Sequence, residues 1–247
     1  MLRLFQTGTA FRFAHESKAF VLSLTRFAKM ADDKTLSHEQ VEKYLKGTTT
    51  VGIVCKDGVV LASDSRATMG YLISDKEAQK IFQIDDKVAI TTAGLVGDNQ
   101  SLVRIMRAQL ALARMEEKPL TIKATSTLLA NILHSRRYYP FLAQLIVGGF
   151  DTEGHIFELD PVGGMSGKKV SSTGSGSPVA YGAMETAYRE NMTVQDGIEL
   201  VTRAIYSARE RNAGTGNKIE VVTITDKGFK KLTEDQVKKT IETLKAQ

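Results

Sequence analysis

The strongest constraint on the fold is the order in which strand-like and helix-like segments follow one another. Residues 48–55 and 59–64 are β-branched and apolar, and the Asp57-Gly58 pair between them predicts a hairpin. Further strands are predicted over 81–84, 88–93, 142–150, 154–159 and 220–225. Helices are predicted over about 97–117, 121–137 and 193–211. Two more helices are predicted to begin at Pro178, with Ser177 as N-cap, and at Thr233. Hairpin-linked strands with grouped helices indicate antiparallel sheets covered by helices. The order therefore predicts an α+β fold and not a parallel doubly wound sheet.

Composition indicates one globular body without bound metal. The chain has 247 residues, of which 42% are hydrophobic and 25% charged, as is typical of soluble globular proteins. No segment approaches the roughly 20 apolar residues that a membrane-spanning helix needs. A single cysteine, Cys55, excludes an internal disulfide and favours a reducing compartment, and the four histidines are scattered. We therefore expect one domain, no cofactor, no metal site and no membrane association.

The positive charge is concentrated before the predicted fold begins. The net charge is +5, and residues 1–29 contain five basic residues and one acidic residue. Nucleic-acid binding is therefore not expected, because a binder would carry its basic stripe on the folded body. Residues 1–29 are also acid-poor and rich in Phe and Leu, as organelle transit peptides are. Alternatively, translation starts at Met30, which opens an ordinary polar N-terminus.

Polar and glycine-rich segments border several predicted strands. A run of three threonines, Thr48 to Thr50, follows Gly47 and is, taken alone, typical of an ordinary strand start. Asp64 and Arg66 lie at the end of the second predicted strand, and Lys80 precedes another. Two further segments enter helices: 92–98 (Thr-Ala-Gly-Leu-Val-Gly-Asp) and 174–178 (Gly-Ser-Gly-Ser-Pro). The last of these fits neither the dinucleotide nor the P-loop phosphate pattern.

Taken together and in this order, these motifs resemble the β-type subunits of the proteasome, most closely the archaeal ones. The motifs are Gly-Thr-Thr-Thr-Val-Gly, Asp-x-Arg, Lys-Ile-Phe, Ala-Gly-x-x-Gly-Asp and Gly-Ser-Gly-Ser-Pro, and the resemblance runs from residue 47 to about 245. The family belongs to the N-terminal-nucleophile hydrolases. The resemblance therefore implies a four-layer αββα sandwich, in agreement with the order of elements.

The resemblance implies that Thr48 is the nucleophile of a threonine-type endopeptidase. A threonine hydroxyl is a weak nucleophile and needs a base within hydrogen-bond reach. Cleavage between Gly47 and Thr48 would create an α-amine with an ordinary pKa near ~8, which can accept the hydroxyl proton. Residues 1–47 are therefore expected to be a propeptide and 48–247 the catalytic domain, and the uncut precursor should be inactive.

Further roles follow from the resemblance. Lys80 would favour the developing alkoxide, and Asp64 would keep Lys80 charged and oriented. The N–H of Gly94 would bind the oxyanion, and Ser175 would lie beside the α-amine of Thr48. Arg66 is expected to be structural.

One segment departs from the family pattern. The family usually has an Asp, followed three residues later by a Ser, where this chain has Asn212 and Thr215. An Asn keeps an acceptor oxygen but removes the negative charge. We therefore expect both residues to belong to the site, with a slower reaction and an amine of lower pKa.

The resemblance also implies a substrate pocket and partners. Four uncharged residues would line the pocket: Ala67, Ala78, Thr92 and Val96. A pocket without charge favours cleavage after apolar side chains. The partners would be other β subunits in a seven-membered ring, rings of α-type subunits, and an ATPase that delivers unfolded proteins in the cytoplasm. The helices at 97–117 and 178–212 would make the ring contacts. A non-catalytic ring subunit is the alternative, and a shorter bacterial ring peptidase is disfavoured by the elements after residue 220.

Overall fold

The computed structural model describes residues 47–69 and 72–246. The strands are β1 (Thr50–Cys55), β2 (Gly58–Asp64), β3 (Ala67–Met69), β4 (Leu72–Asp75), β5 (Ile81–Asp85), β6 (Val88–Gly94), β7 (Ala143–Phe150), β8 (Gly154–Leu159), β9 (Met165–Lys168), β10 (Val170–Thr173), β11 (Ile219–Thr225) and β12 (Gly228–Lys231). The helices are α1 (Val96–Met115), α2 (Ile122–Ser135), α3 (Ser177–Glu185), α4 (Val194–Arg211) and α5 (Glu234–Ala246). The predictions made for residues 1–46 lie outside the described residues.

Two five-stranded antiparallel sheets form the centre of the fold. One sheet has the strand order β10-β1-β2-β11-β12, and the other has the order β5-β6-β7-β8-β9. The short β3 and β4 pair separately as a hairpin. Hairpin connections thus build both sheets, as the sequence predicts.

The central strands are buried on both faces because each sheet lies between the other sheet and a layer of helices. In the first sheet, Val51 and Ile53 pack against α3 and α4. The alternate side chains Val59 and Leu61 instead meet Ile146 of the second sheet. The outer face of the second sheet packs against α1 and α2. The molecule is therefore the predicted α+β sandwich, with its layers in the order αββα.

Several boundaries differ from the sequence prediction. The first strand begins at Thr50 and not at residue 48, so Thr48 and Thr49 precede the ladder. The N-cap of α3 is Gly176, because Ser177 is already helical and Pro178 lies in the first turn, where its missing N–H costs nothing. Four short strands, β3, β4, β9 and β10, were not predicted, since their mostly polar or small residues lack a clear apolar alternation.

Within the described ranges, none of the helices combines the length and the hydropathy that crossing a bilayer requires.

Candidate active site

The Gly47–Thr48 peptide lies at the open end of the first sheet, just before β1. The N–H of Gly47 donates to Ser175 Oγ at 3.2 Å, and its carbonyl oxygen accepts from Lys80 Nζ at 3.4 Å. Gly47 has a φ of +108°, and a Cβ there would collide with the Thr68 side chain. Glycine is therefore required at this position for both backbone and steric reasons. Thr48 itself is buried, with 8% of its surface exposed.

The buried carboxylate of Asp64 accepts four hydrogen bonds. One carboxylate oxygen accepts from Lys80 Nζ at 2.7 Å and from the Thr49 N–H at 2.9 Å. The other accepts from the N–H groups of Arg66 and Gly216, both at 3.0 Å. Asp64 is 1% exposed, so these four donors replace the water that the buried carboxylate has lost.

Lys80 is a buried cation held at the start of β5. Its Nζ donates to Asp64, to the Arg66 carbonyl oxygen at 2.6 Å and to the Gly47 carbonyl oxygen. Burial lowers the pKa of the Lys80 amine, and the neighbouring Asp64 opposes that shift. Three donated hydrogen bonds require the three hydrogens of an ammonium, so the geometry corresponds to the charged form.

Ser175, Asn212 and Thr215 form a second hydrogen-bonded group next to Thr48 and Thr49. The Ser175 hydroxyl donates to Asn212 Oδ1 at 3.0 Å, and the Thr215 hydroxyl donates to the same oxygen at 3.1 Å. Thr215 also contacts the Thr49 hydroxyl at 2.6 Å. Both residues at which the chain departs from the family pattern therefore lie in the site, one hydrogen bond from Ser175 or from Thr49.

Gly94, the expected oxyanion donor, is the last residue of β6. It has a φ of +125°, and a Cβ there would collide with the Leu142 carbonyl oxygen. That oxygen accepts from the Leu95 N–H at 2.8 Å, and the Leu142 N–H donates to Asp98 Oδ2 at 2.9 Å. The sequence motif contained Asp98, but no role was predicted for it. Its contact shows that it fixes the junction between β6 and α1.

Arg66 and Gln144 support the site from outside. The Arg66 guanidinium donates to Asn217 Oδ1 at 3.0 Å and to the Ala213 carbonyl oxygen at 2.8 Å, so it holds the loop after α4. This contact agrees with the structural role expected for it. Gln144 was missed by the sequence analysis; its Oε1 accepts from the Gly174 N–H at 3.2 Å. No local sequence signal marks Gln144, because it lies inside a predicted strand.

The four predicted pocket residues come from four different segments around Lys80 and Gly94. The Thr92 N–H donates to the Lys80 carbonyl oxygen, and the Ala78 N–H donates to the Ser65 carbonyl oxygen, both at 2.9 Å. Val96 begins α1 with 54% of its surface exposed, and Ala67 begins β3.

Cavities of about 450 and 260 Å³ lie beside α4, and none of the four predicted pocket residues lines them. Across the described ranges, no three His, Cys, Asp or Glu side chains are grouped closely enough to hold a metal ion.

Comparison with known proteins agrees with this fold. A family model described as "Proteasome subunit" matches residues 44–224, and the chain belongs to the proteasome subunit family. The similar curated proteins include the "Proteasome subunit beta" of Methanosarcina thermophila, 52% identical over 200 residues that cover 80% of this chain and 95% of the relative. The subunit of the same description from Methanohalophilus mahii is 52% identical over 207 residues, covering 83% and 99% of the two chains. That of Methanocaldococcus fervens is 50% identical over 199 residues, covering 79% and 89%. The predicted resemblance to archaeal β-type subunits is thus confirmed.

Proposed function

We propose that this chain is a catalytic β subunit of a proteasome core particle, with Thr48 as its nucleophile. The observation that carries the proposal is the position of the Gly47–Thr48 bond between Lys80 Nζ and Ser175 Oγ. Burying a lysine and an aspartate costs several kcal/mol of desolvation that their attraction only partly returns. A buried pair of this kind that also contacts a peptide carbonyl is a candidate for chemistry and not only for stability.

The first reaction is self-cleavage. The Thr48 hydroxyl oxygen attacks the Gly47 carbonyl carbon, and the Lys80 ammonium stabilises the negative charge that develops on the Gly47 oxygen. The C–N bond breaks, the hydroxyl proton passes to the departing nitrogen, and an ester joins Gly47 to Thr48 Oγ. Water then hydrolyses the ester. This step releases residues 1–47 with a new carboxylate and leaves Thr48 with a free hydroxyl and a free α-amine.

The second reaction is hydrolysis of other peptide bonds. The Thr48 α-amine accepts the hydroxyl proton while Oγ attacks the substrate carbonyl, and the Gly94 N–H receives the oxyanion. The amine then gives its proton to the leaving nitrogen, and water hydrolyses the acyl-enzyme ester. Lys80, held by Asp64, lowers the energy of the alkoxide form of Thr48. Ser175, with Asn212 and Thr215 behind it, orients the amine.

Substrates and partners follow from the same proposal. Ala67, Ala78, Thr92 and Val96 form an uncharged pocket for the side chain before the cleaved bond, which favours apolar residues there. The chain joins other β subunits in a seven-membered ring flanked by α-type subunits, and an ATPase supplies unfolded proteins in the cytoplasm. Exposed apolar side chains on α1, Leu112 and Met115, support a role for this helix in subunit contacts.

Intact mass spectrometry tests the proposal. The full chain is co-expressed with an archaeal α-type subunit, and the assembled particle is purified. We expect the wild-type β chain and the Thr48→Ser variant to begin at residue 48, whereas Thr48→Ala keeps the residues before it. A wild-type chain that assembles, keeps its leader and hydrolyses no peptide would overturn the proposal and establish the non-catalytic ring subunit instead.

A further inference from the structure

Asn212 is placed so that an amide side chain satisfies its neighbours. Its Oδ1 accepts from the backbone N–H of Gly214 at 3.0 Å, and its Nδ2 donates to the backbone carbonyl oxygen of Ser175 at 3.0 Å. A backbone N–H can only donate and a carbonyl oxygen can only accept. The two backbone groups therefore fix which end of the side chain is oxygen and which is nitrogen.

An ionised carboxylate does not fit this arrangement. With Asp at position 212, one oxygen would keep the hydrogen bonds from Gly214, Ser175 and Thr215, but the other would face the Ser175 carbonyl oxygen at about the present 3.0 Å. Two acceptors at that distance repel each other, because neither has a hydrogen to share. Asn212 is therefore matched to the backbone around it and is not merely a tolerated replacement of the family's Asp.

The amide also determines how the Ser175 hydroxyl is used. This hydroxyl has one hydrogen, which it gives to Asn212 Oδ1 at 3.0 Å, while its oxygen accepts from the Gly47 N–H at 3.2 Å. The Gly47 N–H that this oxygen binds departs with the leader, so the oxygen is then free to accept from the new α-amine of Thr48, whose carbonyl oxygen lies 3.5 Å from it. Asn212 thus holds an acceptor toward the amine.

The charged side chains around that amine carry a net positive charge, because two are cations and one is an anion. From β2 and the segment after it come Asp64 and Arg66, and from the start of β5 comes Lys80. The β10–α3 connection contributes Ser175, β7 contributes Gln144, and the loop after α4 contributes Asn212 and Thr215, all of them uncharged. Among the described residues that hydrogen-bond to Gly47, Thr49, Lys80 or Ser175 through a side chain, Asp64 is the one carboxylate, and Lys80 and three backbone N–H groups already occupy it.

We propose that Asn212 is a positioning residue that orients Ser175 toward the α-amine without adding negative charge, so that the amine stays an unprotonated base at lower pH than it would beside a carboxylate. The inference rests on the proposed role of the Thr48 amine as base. A neighbouring anion stabilises an ammonium and raises its pKa, and the absence of that anion has the opposite effect. The site should therefore work at mildly acidic pH.

The test is the pH dependence of kcat/KM for a small fluorogenic peptide, measured on the assembled particle for wild type and Asn212→Asp. We expect the acid limb of Asn212→Asp to lie roughly 0.5 to 1 pH unit higher, because a carboxylate one hydrogen bond beyond Ser175 favours the ammonium. Its plateau should also be lower, because the new oxygen repels the Ser175 carbonyl. Superimposable profiles, or a higher plateau with an unmoved acid limb, would overturn the inference.

Two further variants separate charge from shape. Asn212→Ala removes the orienting contacts without adding charge, and it should lower kcat at every pH without moving the acid limb. Asn217→Asp makes the same chemical change on the same loop, where the side-chain oxygen accepts from Arg66 Nε and a carboxylate keeps that contact. Its profile should match the wild type. An acid limb in Asn217→Asp that moves as far as that of Asn212→Asp would overturn the inference, since the effect would then be one of general charge.

The wild-type profile provides an independent check if Asn212→Asp fails to assemble. Its acid midpoint should lie below the ordinary α-amine pKa of about 7.7 to 8.0, and a midpoint at or above that range contradicts the inference. Failure of the proposed function looks different: the wild-type particle would then hydrolyse nothing and keep its leader. An active wild type with an unmoved Asn212→Asp profile removes only the inference.

Discussion

At the scale of single residues, the site depends on one buried carboxylate with several tasks. Asp64 binds Lys80 and also three backbone N–H groups, which belong to Thr49, Arg66 and Gly216. These N–H groups come from the residue before β1, the segment after β2 and the loop after α4. The carboxylate therefore joins three parts of the chain in addition to its electrostatic task.

Asp64 has three backbone partners besides Lys80, and Lys80 binds one carboxylate, so replacing the two residues should change stability by different amounts. Asp64→Ala leaves a buried ammonium and three backbone donors without their acceptor, and it should lower the free energy of unfolding by about 3–5 kcal/mol. Lys80→Ala leaves a carboxylate that keeps three donors, and it should cost about 1–3 kcal/mol. Denaturant titration of the full chain measures both values. Equal losses, or a larger loss for Lys80→Ala, would show that the backbone contacts of Asp64 matter little.

Gly47 gives a prediction about processing. Gly47→Ala should slow self-cleavage, because alanine disfavours a φ of +108° and its Cβ meets the Thr68 side chain. Removing the obstacle in the double variant Gly47→Ala/Thr68→Ala should restore part of the rate and leave only the backbone penalty of about 1–2 kcal/mol. A time course of leader release followed by mass spectrometry measures the rates. Cleavage of Gly47→Ala at the wild-type rate would argue against a tight geometry at the scissile bond.

At the scale of elements, the junction between β6 and α1 determines where the Gly94 N–H, the proposed oxyanion donor, points. Asp98 in the first turn of α1 accepts from Leu142, and Leu142 in turn accepts from Leu95, so Gly94 is held from the neighbouring β7 side. The N-cap position, Leu95, has no side-chain cap of its own. The Asp98 contact therefore takes the place of a local cap in fixing the junction.

Replacing Asp98 should accordingly affect catalysis more than binding. Asp98→Ala frees the Leu142 N–H and should lower kcat about tenfold with little change in KM, which corresponds to about 1.4 kcal/mol of transition-state stabilisation. Asp98→Asn keeps an acceptor oxygen and should remain close to the wild type. Steady-state kinetics on the assembled particle distinguishes them. If both variants lose activity equally, the charge of Asp98 matters and not its contact with Leu142.

The end of β1 provides a second prediction at this scale. Cys55 is 4% exposed, and burial together with Asp57 and Asp196 raises the pKa of its thiol to about 12. Since the folded-state pKa is the higher one, the thiol stabilises the fold fully below its ordinary pKa, and that stability is lost as pH rises toward 12. The difference in unfolding free energy between wild type and Cys55→Ala should therefore shrink above about pH 9. A difference that is constant with pH would contradict the assigned shift.

At the scale of the whole molecule, the fold could be predicted from sequence because its central strands and its helices are regular. The runs at 88–93 and 142–150 and the helix at 193–211 have clear apolar patterns, and the structure places elements within one or two residues of each. The strands β9 and β10 could not be predicted, since pairing with β8 and β1 stabilises them and their own composition does not.

The site was less predictable from the residues alone. Asp64, Lys80 and Ser175 were named through the resemblance, because they are far apart in sequence and only the two packed sheets bring them together. The fit of Asn212 to the Ser175 carbonyl depends on the direction of a backbone group, which no residue pattern encodes. For the same reason Gln144, which contacts the Gly174 N–H from inside β7, carried no signal.

Peptide hydrolysis by the assembled particle with Thr48 replaced tests directly whether Thr48 is the nucleophile. Wild-type and Thr48→Ala chains, each co-assembled with the same α-type subunit, are compared on a small fluorogenic peptide with an apolar residue before the cleaved bond. We expect Thr48→Ala to lower kcat by at least about 10³-fold while the particle still assembles. Equal hydrolysis by the two particles would contradict this role of Thr48.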